Sequence, residues 1–177
     1  MTQRRRKGSA LESQIEMASA GVLARLVVDL CSLSDENKMF VEARLEVTPD
    51  PLKPYKERIN EALYPDVMSR QPIRIGAARR AVTEYKKAAG DLLGVLELMM
   101  YYVERGTACT ADFGDIDEAF YSSLESMYDR LLKMLDTADG ETKESFRSRA
   151  AAVVDRAKGI GWGYYDYLAG RFAESYG

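Results

Sequence analysis

The densest group of chemically active side chains in the sequence is basic. Residues 79–87 contain one carboxylate, Glu84, and four cations, which are Arg79, Arg80, Lys86 and Lys87. Cations at helical spacing suit the phosphates of a nucleic acid, and the basic run at residues 4–7 would add further contacts. Because no exposed aromatic side chain lies among them to stack on bases, we favour a solvated face, or pairing with acids between residues 91 and 136.

A second group combines glycine and aromatic residues. Three glycines within residues 159–163 weaken a helix, so a packing or functional reason is expected there. Trp162, Tyr165 and Asp166 could line a groove for a ligand or peptide, because aromatic rings beside one carboxylate make good anchors. The favoured alternative is that Trp162 packs in the core.

The remaining acids predict no catalytic or metal site. Asp112, Asp115, Asp117 and Glu118 lack the glycine and ligand spacing of a calcium loop, and helix starts explain them better. The chain contains no histidine, which removes the commonest metal ligand and the commonest acid–base group near neutral pH. We therefore expect no metal and no cofactor, and we rank an enzyme with a site near the Trp162 groove last.

The charge is unevenly distributed along the chain. The net charge is -3, and the four cations at residues 4–7 lie ahead of a more acidic remainder. This pattern predicts a flexible basic tail at residues 1–10 and a single helical domain at residues 11–177.

Cysteine content and hydropathy indicate the compartment. Cys31 and Cys109 lie far apart and form no CxxC pair, which favours a reducing environment. Arg25 and Asp29 interrupt the most apolar stretch, so nothing approaches the roughly 20 apolar residues of a membrane-spanning helix. The sequence therefore predicts a cytoplasmic protein without a membrane segment.

Apolar residues recur every three or four positions through most of the chain, which predicts helices and excludes sheet-based folds. Six helices are predicted, over residues 11–33, 34–47, 50–63, 75–103, 115–139 and 141–168. There are seven if Gly90 ends the fourth helix and Asp91 caps another. Ser34, Asp50 and Asp115 are the other predicted N-caps. Short connections favour antiparallel neighbours, so we predict an all-α fold, either a bundle or a small α-α superhelix.

The longest apolar seam runs from Ile75 to Val103 and predicts the centre of the fold. Val82 and Leu96 lie on this seam and should be buried. Met99 and Met100 are interpreted as core residues, although methionine-rich faces also occur at adaptable binding surfaces.

Several short stretches occur in an order that resembles a bacterial family of helical domains of unknown function. They are residues 33–40, the 51–65 segment ending in Ala62-Leu63-Tyr64-Pro65, residues 79–87, Gly114-Asp115 with Phe120-Tyr121, and Ile160-Gly161-Trp162-Gly163. The resemblance implies a small, soluble, helical bacterial protein. It carries over no catalytic residues.

The sequence leaves three classes of function open. The leading prediction is an interaction or scaffold domain, whose helix faces bind a protein partner or a second copy of the chain. The alternative is a nucleic-acid-binding protein that uses the basic helix face and the arginine tail. An enzyme comes third, because no motif assigns a reaction.

Overall fold

The computed structural model describes residues 10–65 and 71–177, and these residues form helices, turns and loops without any strand. The nine helices of this part are α1 (Ala10–Met17), α2 (Ala20–Leu33), α3 (Asp35–Arg44), α4 (Lys53–Leu63), α5 (Ile75–Ala88), α6 (Leu92–Phe113), α7 (Glu118–Asp136), α8 (Gly140–Arg156) and α9 (Tyr164–Tyr176). The all-α class is confirmed. The basic run at residues 4–7 lies outside the described residues.

The predicted count of six or seven helices is wrong, because three apolar seams continue across breaks in the backbone. Ser19 separates α1 from α2 and caps α2 by accepting a hydrogen bond from the Val22 backbone N–H at 3.4 Å. Gly90, at a φ of 73°, ends α5, and Asp91 caps α6. Residues 157–163 separate α8 from α9. Apolar spacing alone does not reveal a short turn that keeps both helices on the same side of the core.

The helix starts are set by particular capping side chains. Ser34 caps α3, as predicted, by accepting from the Asn37 N–H. Asp50 instead accepts from the Leu52 N–H in the turn before α4, which begins at Lys53. The cap of α7 is Asp117 rather than Asp115, and its carboxylate accepts from the Phe120 N–H at 2.8 Å. Asp117 therefore takes the capping role that was predicted for Asp115, because it is the carboxylate that lies three residues before the N–H group of Phe120.

Helix α6 lies at the centre of the described part and packs against α4, α5, α7 and α8. Helix α9 packs on α7 and α8, while α3 packs on α5 and α2. Several of these contacts join helices that are not consecutive in the chain. This arrangement differs from the predicted bundle or superhelix of successive antiparallel pairs.

The core is continuous and rich in tyrosine. Val82 and Leu96 are both buried, as the seam predicted, and so are Met99 and Met100. The largest fully buried side chains are those of Tyr55, Tyr102, Phe120, Tyr121, Tyr128, Phe146 and Tyr164. Because a buried phenol needs a hydrogen-bond partner, the tyrosines among these residues favour particular contacts between helices.

In the residues that the structure describes, each helix is too short or too polar to cross a membrane.

Candidate functional site

Helices α1 and α2 differ from the rest of the fold because neither contains a buried residue. Helix α2 packs mainly on α3, and α1 has no extensive contact with any other helix. Their exposed large apolar side chains are Leu11, Ile15, Met17, Val22, Leu26, Val27, Val28, Leu30 and Leu33. Nine exposed large apolar side chains on two neighbouring helices exceed the singly scattered apolar residues that are normal on a protein surface.

One side of α2 is a face that we call the leucine face. It consists of Val22, Leu26, Leu30 and Leu33, which follow one another at spacings of four, four and three residues. Leu26 is 46% exposed and Leu33 is 76% exposed. The spacing is that of a helix seam, and such a seam normally packs against another helix.

The other apolar side of α2 opens into a groove against α3, which we call the α2–α3 groove. The groove has a volume of about 850 Å³. Its apolar lining comes from Ala24, Val27, Val28 and Cys31 on α2 and from Phe40, Val41 and Leu45 beside them. Lys38, Glu42 and Arg44 form a charged rim. An apolar floor with a polar rim is typical of a protein-binding surface.

Only a narrow strip of α2 is polar. It contains Gly21, Arg25, Asp29 and Ser32, which share one side of a helix with 3.6 residues per turn. A helix that is apolar around most of its circumference is normally buried inside a protein. Helix α2 therefore has the composition of an interior helix but the exposure of a surface helix.

The predicted basic stripe consists of Arg79, Arg80, Lys86 and Lys87, and the structure places all four residues on the exposed side of α5. Arg79 donates from Nε to the buried hydroxyl of Ser123 at 3.1 Å, so part of its side chain is held against α7. The neighbouring Glu84 pairs with Arg58 on α4 at 2.6 Å. The cations of the stripe thus share an exposed surface without a carboxylate opposite them.

Of the two alternatives for this stripe, a solvated face or pairing with the acids of residues 91–136, the described residues show the solvated face. Helices α8 and α9 supply most of the partners of those acids instead. Arg149 binds Glu97 and Glu104, and Arg156 binds Asp112 at 2.8 Å. Sequence composition could not choose between two sets of cations, because helix packing decides which set faces the acids. None of the ion pairs within the described residues involves the stripe.

Trp162 lies in the turn before α9, and Tyr165 and Asp166 lie in the first turn of α9. Trp162 is 60% exposed, so the interpretation that it packs in the core is wrong. Its indole stacks on the Tyr121 ring at 6.3 Å between centroids, and its φ of 64° is rare for a non-glycine residue. Tyr165 is half-buried against the core, and Asp166 is exposed in the first turn of α9. A groove at these three residues stays a prediction.

The acidic cluster is dispersed by the fold. Asp112 accepts a hydrogen bond from the Tyr64 hydroxyl, and this bond together with Arg156 holds the pKa of its carboxyl below the usual range. Asp115 accepts from the Tyr121 hydroxyl at 3.0 Å, while Asp117 caps α7. Across residues 10–65 and 71–177, no three His, Cys, Asp or Glu side chains are grouped to hold a metal ion.

The buried hydroxyl groups form hydrogen bonds with one another. Thr107 pairs with the Tyr164 hydroxyl at 2.7 Å, and Thr110 pairs with that of Tyr121 at 2.6 Å. Burial raises the pKa of the Tyr164 phenol, which keeps it neutral. These groups join α6 to α7 and α9, and the geometry assigns them a packing role.

No family model matches the chain, and no curated protein or solved structure matches it. The resemblance to a bacterial family of helical domains therefore stays a prediction. The arguments about function rest on the geometry of the surfaces described above.

Sequence reasoning missed the α1–α2 surface, although its signal was present. Residues 11–33 were interpreted as a helix with one buried face, yet residues 20–33 contain only two charged residues, Arg25 and Asp29. Such a composition exceeds what one buried face requires. This excess of apolar residues indicates that α2 needs packing partners on more than one side.

Proposed function

We propose that this protein is an interaction or scaffold domain that self-associates through α1 and α2. The observation that carries the proposal is the absence of any buried residue in these two helices, although their side chains are mostly apolar. Leaving a large apolar surface in water costs free energy, roughly 25 cal/mol for each Å², and association removes that cost. The rest of the described fold packs its apolar seams and would serve as a rigid body that the two helices join to another copy.

Sedimentation velocity of the full chain over a dilution series tests self-association. We expect the wild-type protein to sediment at twice its 19.9 kDa mass or more. Leu26→Asp combined with Leu30→Asp should yield a monomer with unchanged helix content, because a carboxylate would be buried at each position of the interface. Leu92→Asp combined with Leu93→Asp, which places the same two charges at exposed leucines in the first turn of α6, is the matched control and should leave the mass unchanged. A wild-type protein that is monomeric at every concentration would overturn the proposal.

We also propose that the protein is cytoplasmic. Cys31 and Cys109 are both free thiols, and Cys31 is partly exposed in the α2–α3 groove. Free thiols persist best in a reducing compartment.

A second candidate is nucleic-acid binding by the basic stripe. It is favoured by one observation, namely that Arg80, Lys86 and Lys87 are exposed without an ion pair to the described residues. Phosphates could therefore approach the stripe without displacing a carboxylate. Binding would rest on charge rather than on base stacking, because the ring of Tyr85 on the same helix is buried.

Fluorescence anisotropy with a labelled DNA duplex tests this second candidate. Affinity should fall with salt by about 0.9 logarithmic units per decade for each phosphate that is neutralised. Arg80→Glu combined with Lys87→Glu should abolish binding. Lys133→Glu combined with Lys158→Glu, which makes the same change in net charge away from α5, should retain most of it. Binding that is absent at low ionic strength, or that does not respond to salt, would eliminate this candidate.

A further inference from the structure

We infer that the occupant of the leucine face is a second copy of this chain, with the two α2 helices packed antiparallel across a two-fold axis. This inference rests on the proposed self-association and adds the partner's identity and orientation. Leu26 of one copy lies opposite Leu30 of the other, and Leu33 lies opposite Leu23, which is half-buried and borders the leucine face. A two-fold interface uses the same surface on both copies, and α2 can pack on itself in this way because each of these leucines meets a leucine of the partner.

The orientation follows from the two unlike flanks of the leucine face. One flank is the polar strip with Arg25 and Asp29, and the other is an apolar flank with Leu23 and Val27. When two identical helices pack antiparallel, like flanks meet, and when they pack parallel, unlike flanks meet. The antiparallel pair therefore places both polar strips on one side, in water, and both apolar flanks on the opposite side. A parallel pair would place each polar strip against the partner's apolar flank.

Charge complementarity supports the same orientation. In the antiparallel pair, Arg25 of each copy lies within about one helical turn of Asp29 of the other, on the same side of the seam. The pair occurs twice because of the two-fold axis. In the parallel pair, Asp29 faces the apolar flank that contains Val27, so the partner copy offers it no cation.

The exposure of α2 agrees with a dimer of this kind. Val22, Leu26, Leu30 and Leu33 are all exposed, so the leucine face is open to a second copy along its whole length. The interior-like composition of α2 is then explained, because α3 covers part of one side and the second α2 covers the leucine face.

Disulfide trapping tests the orientation on the full chain. In a Cys31→Ser background, Leu26→Cys and Leu30→Cys proteins are prepared separately, mixed under reducing conditions and then oxidised. Facing positions in the antiparallel pair are close enough for a disulfide. Positions offset by four residues are displaced by about 6 Å along the axis, and this displacement together with the lateral separation of the two helices places their Cα atoms beyond the limit of roughly 7 Å. We therefore expect efficient cross-linking in the mixture and little in either protein alone.

Two results would overturn the inference while leaving self-association in place. Efficient cross-linking of Leu26→Cys alone would show a parallel pair. Absence of every cross-link in a protein that still sediments as a dimer would show that another surface forms the interface. A monomeric wild-type protein would instead refute the proposed function itself, so the two failures are distinguishable.

Charge exchange provides an independent readout that does not depend on thiol chemistry. Arg25→Asp and Asp29→Arg should each raise the dimer dissociation constant, by about two- to fivefold for an exposed pair. The double variant should return it to near the wild-type value, because each copy again meets an opposite charge. Additive weakening in the double variant would contradict the antiparallel arrangement.

Discussion

Arg149 on α8 donates two parallel hydrogen bonds to the carboxylate of Glu104 on α6, from Nε at 2.7 Å and from Nη2 at 2.8 Å. Its remaining nitrogen, Nη1, donates to both oxygens of Glu97 at 2.8 and 2.9 Å. One guanidinium thus binds two acids that lie seven residues apart on the central helix, and Lys56 on α4 supplies a second cation to Glu97 at 3.8 Å. The spacing of these acids was visible in the sequence, and the fold shows that they hold α8 in place.

Replacing Arg149 should loosen the contact between α6 and α8. Arg149→Met leaves Glu104 without its partner, and we expect the free energy of unfolding to fall by about 2 kcal/mol, the scale of hydrogen bonds to charged groups. Urea denaturation followed by circular dichroism measures this loss. Arg149→Lys should recover only part of it, because an ammonium cannot form the two parallel bonds. Lys158→Met, which removes an exposed pair with Asp155, is the control and should cause no measurable change.

Two glycines should respond to alanine in opposite directions. Gly106 is buried in α6, where a Cβ would overlap the side chain of Leu124 on α7. We expect Gly106→Ala to lower the free energy of unfolding by about 1–3 kcal/mol through overpacking, despite the helix propensity of alanine. Gly170 on α9 is exposed and has open space around it, so Gly170→Ala should raise stability by up to about 1 kcal/mol. Equal effects at the two sites in thermal denaturation would contradict the close approach of α6 and α7.

Asp136 should make stability depend on pH. Its carboxylate accepts a hydrogen bond from Ser175 at 2.6 Å and pairs with Lys143 at 2.9 Å, and these contacts, the Ser175 bond foremost, hold its pKa below the usual range. A carboxyl with a lowered pKa stabilises the folded state above its unfolded pKa, about 3.9, and loses that stabilisation as pH falls through the folded pKa.

Asp136→Asn should therefore be less stable than the wild-type protein at pH 7, by at most about 1 kcal/mol because the pair is partly exposed. The difference should narrow below about pH 4 and disappear in stronger acid. Urea midpoints measured at steps from pH 7 downward follow this change. Ser175→Ala should reproduce part of the effect, and a difference that is constant with pH would exclude a role for ionised Asp136.

Trp162 should report its exposure through fluorescence. It is the single tryptophan of the chain, and its indole is 60% exposed while one face stacks on Tyr121. We expect emission close to that of tryptophan in water, and strong quenching by acrylamide. Tyr121→Leu removes the stacking partner and should increase quenching further, whereas Tyr167→Leu on α9 should not. Blue-shifted emission that resists quenching in the wild-type protein would restore the interpretation that Trp162 packs in the core.

The sequence by itself determined the helical class and most of the core. Apolar residues at helical spacing remain on one side of a helix wherever it packs, so burial of Val82 and Leu96 followed from local periodicity. The cap at Ser34 also followed, because it depends on backbone conformation within a few residues, and the break at Gly90 was one of the two alternatives that the sequence left open.

Only the tertiary structure decided which faces meet and which stay exposed. Arg149 and Lys56, rather than the basic stripe, pair with Glu97 and Glu104. Helix α5 also packs on α6, but it carries the stripe on its exposed side, so the ion pairs depend on which side of each helix faces α6. The same dependence left Leu26 and Leu30 exposed, although their spacing is that of buried residues. Periodicity specifies a face that avoids water, whereas the chain's three-dimensional path determines whether this copy or another one covers it.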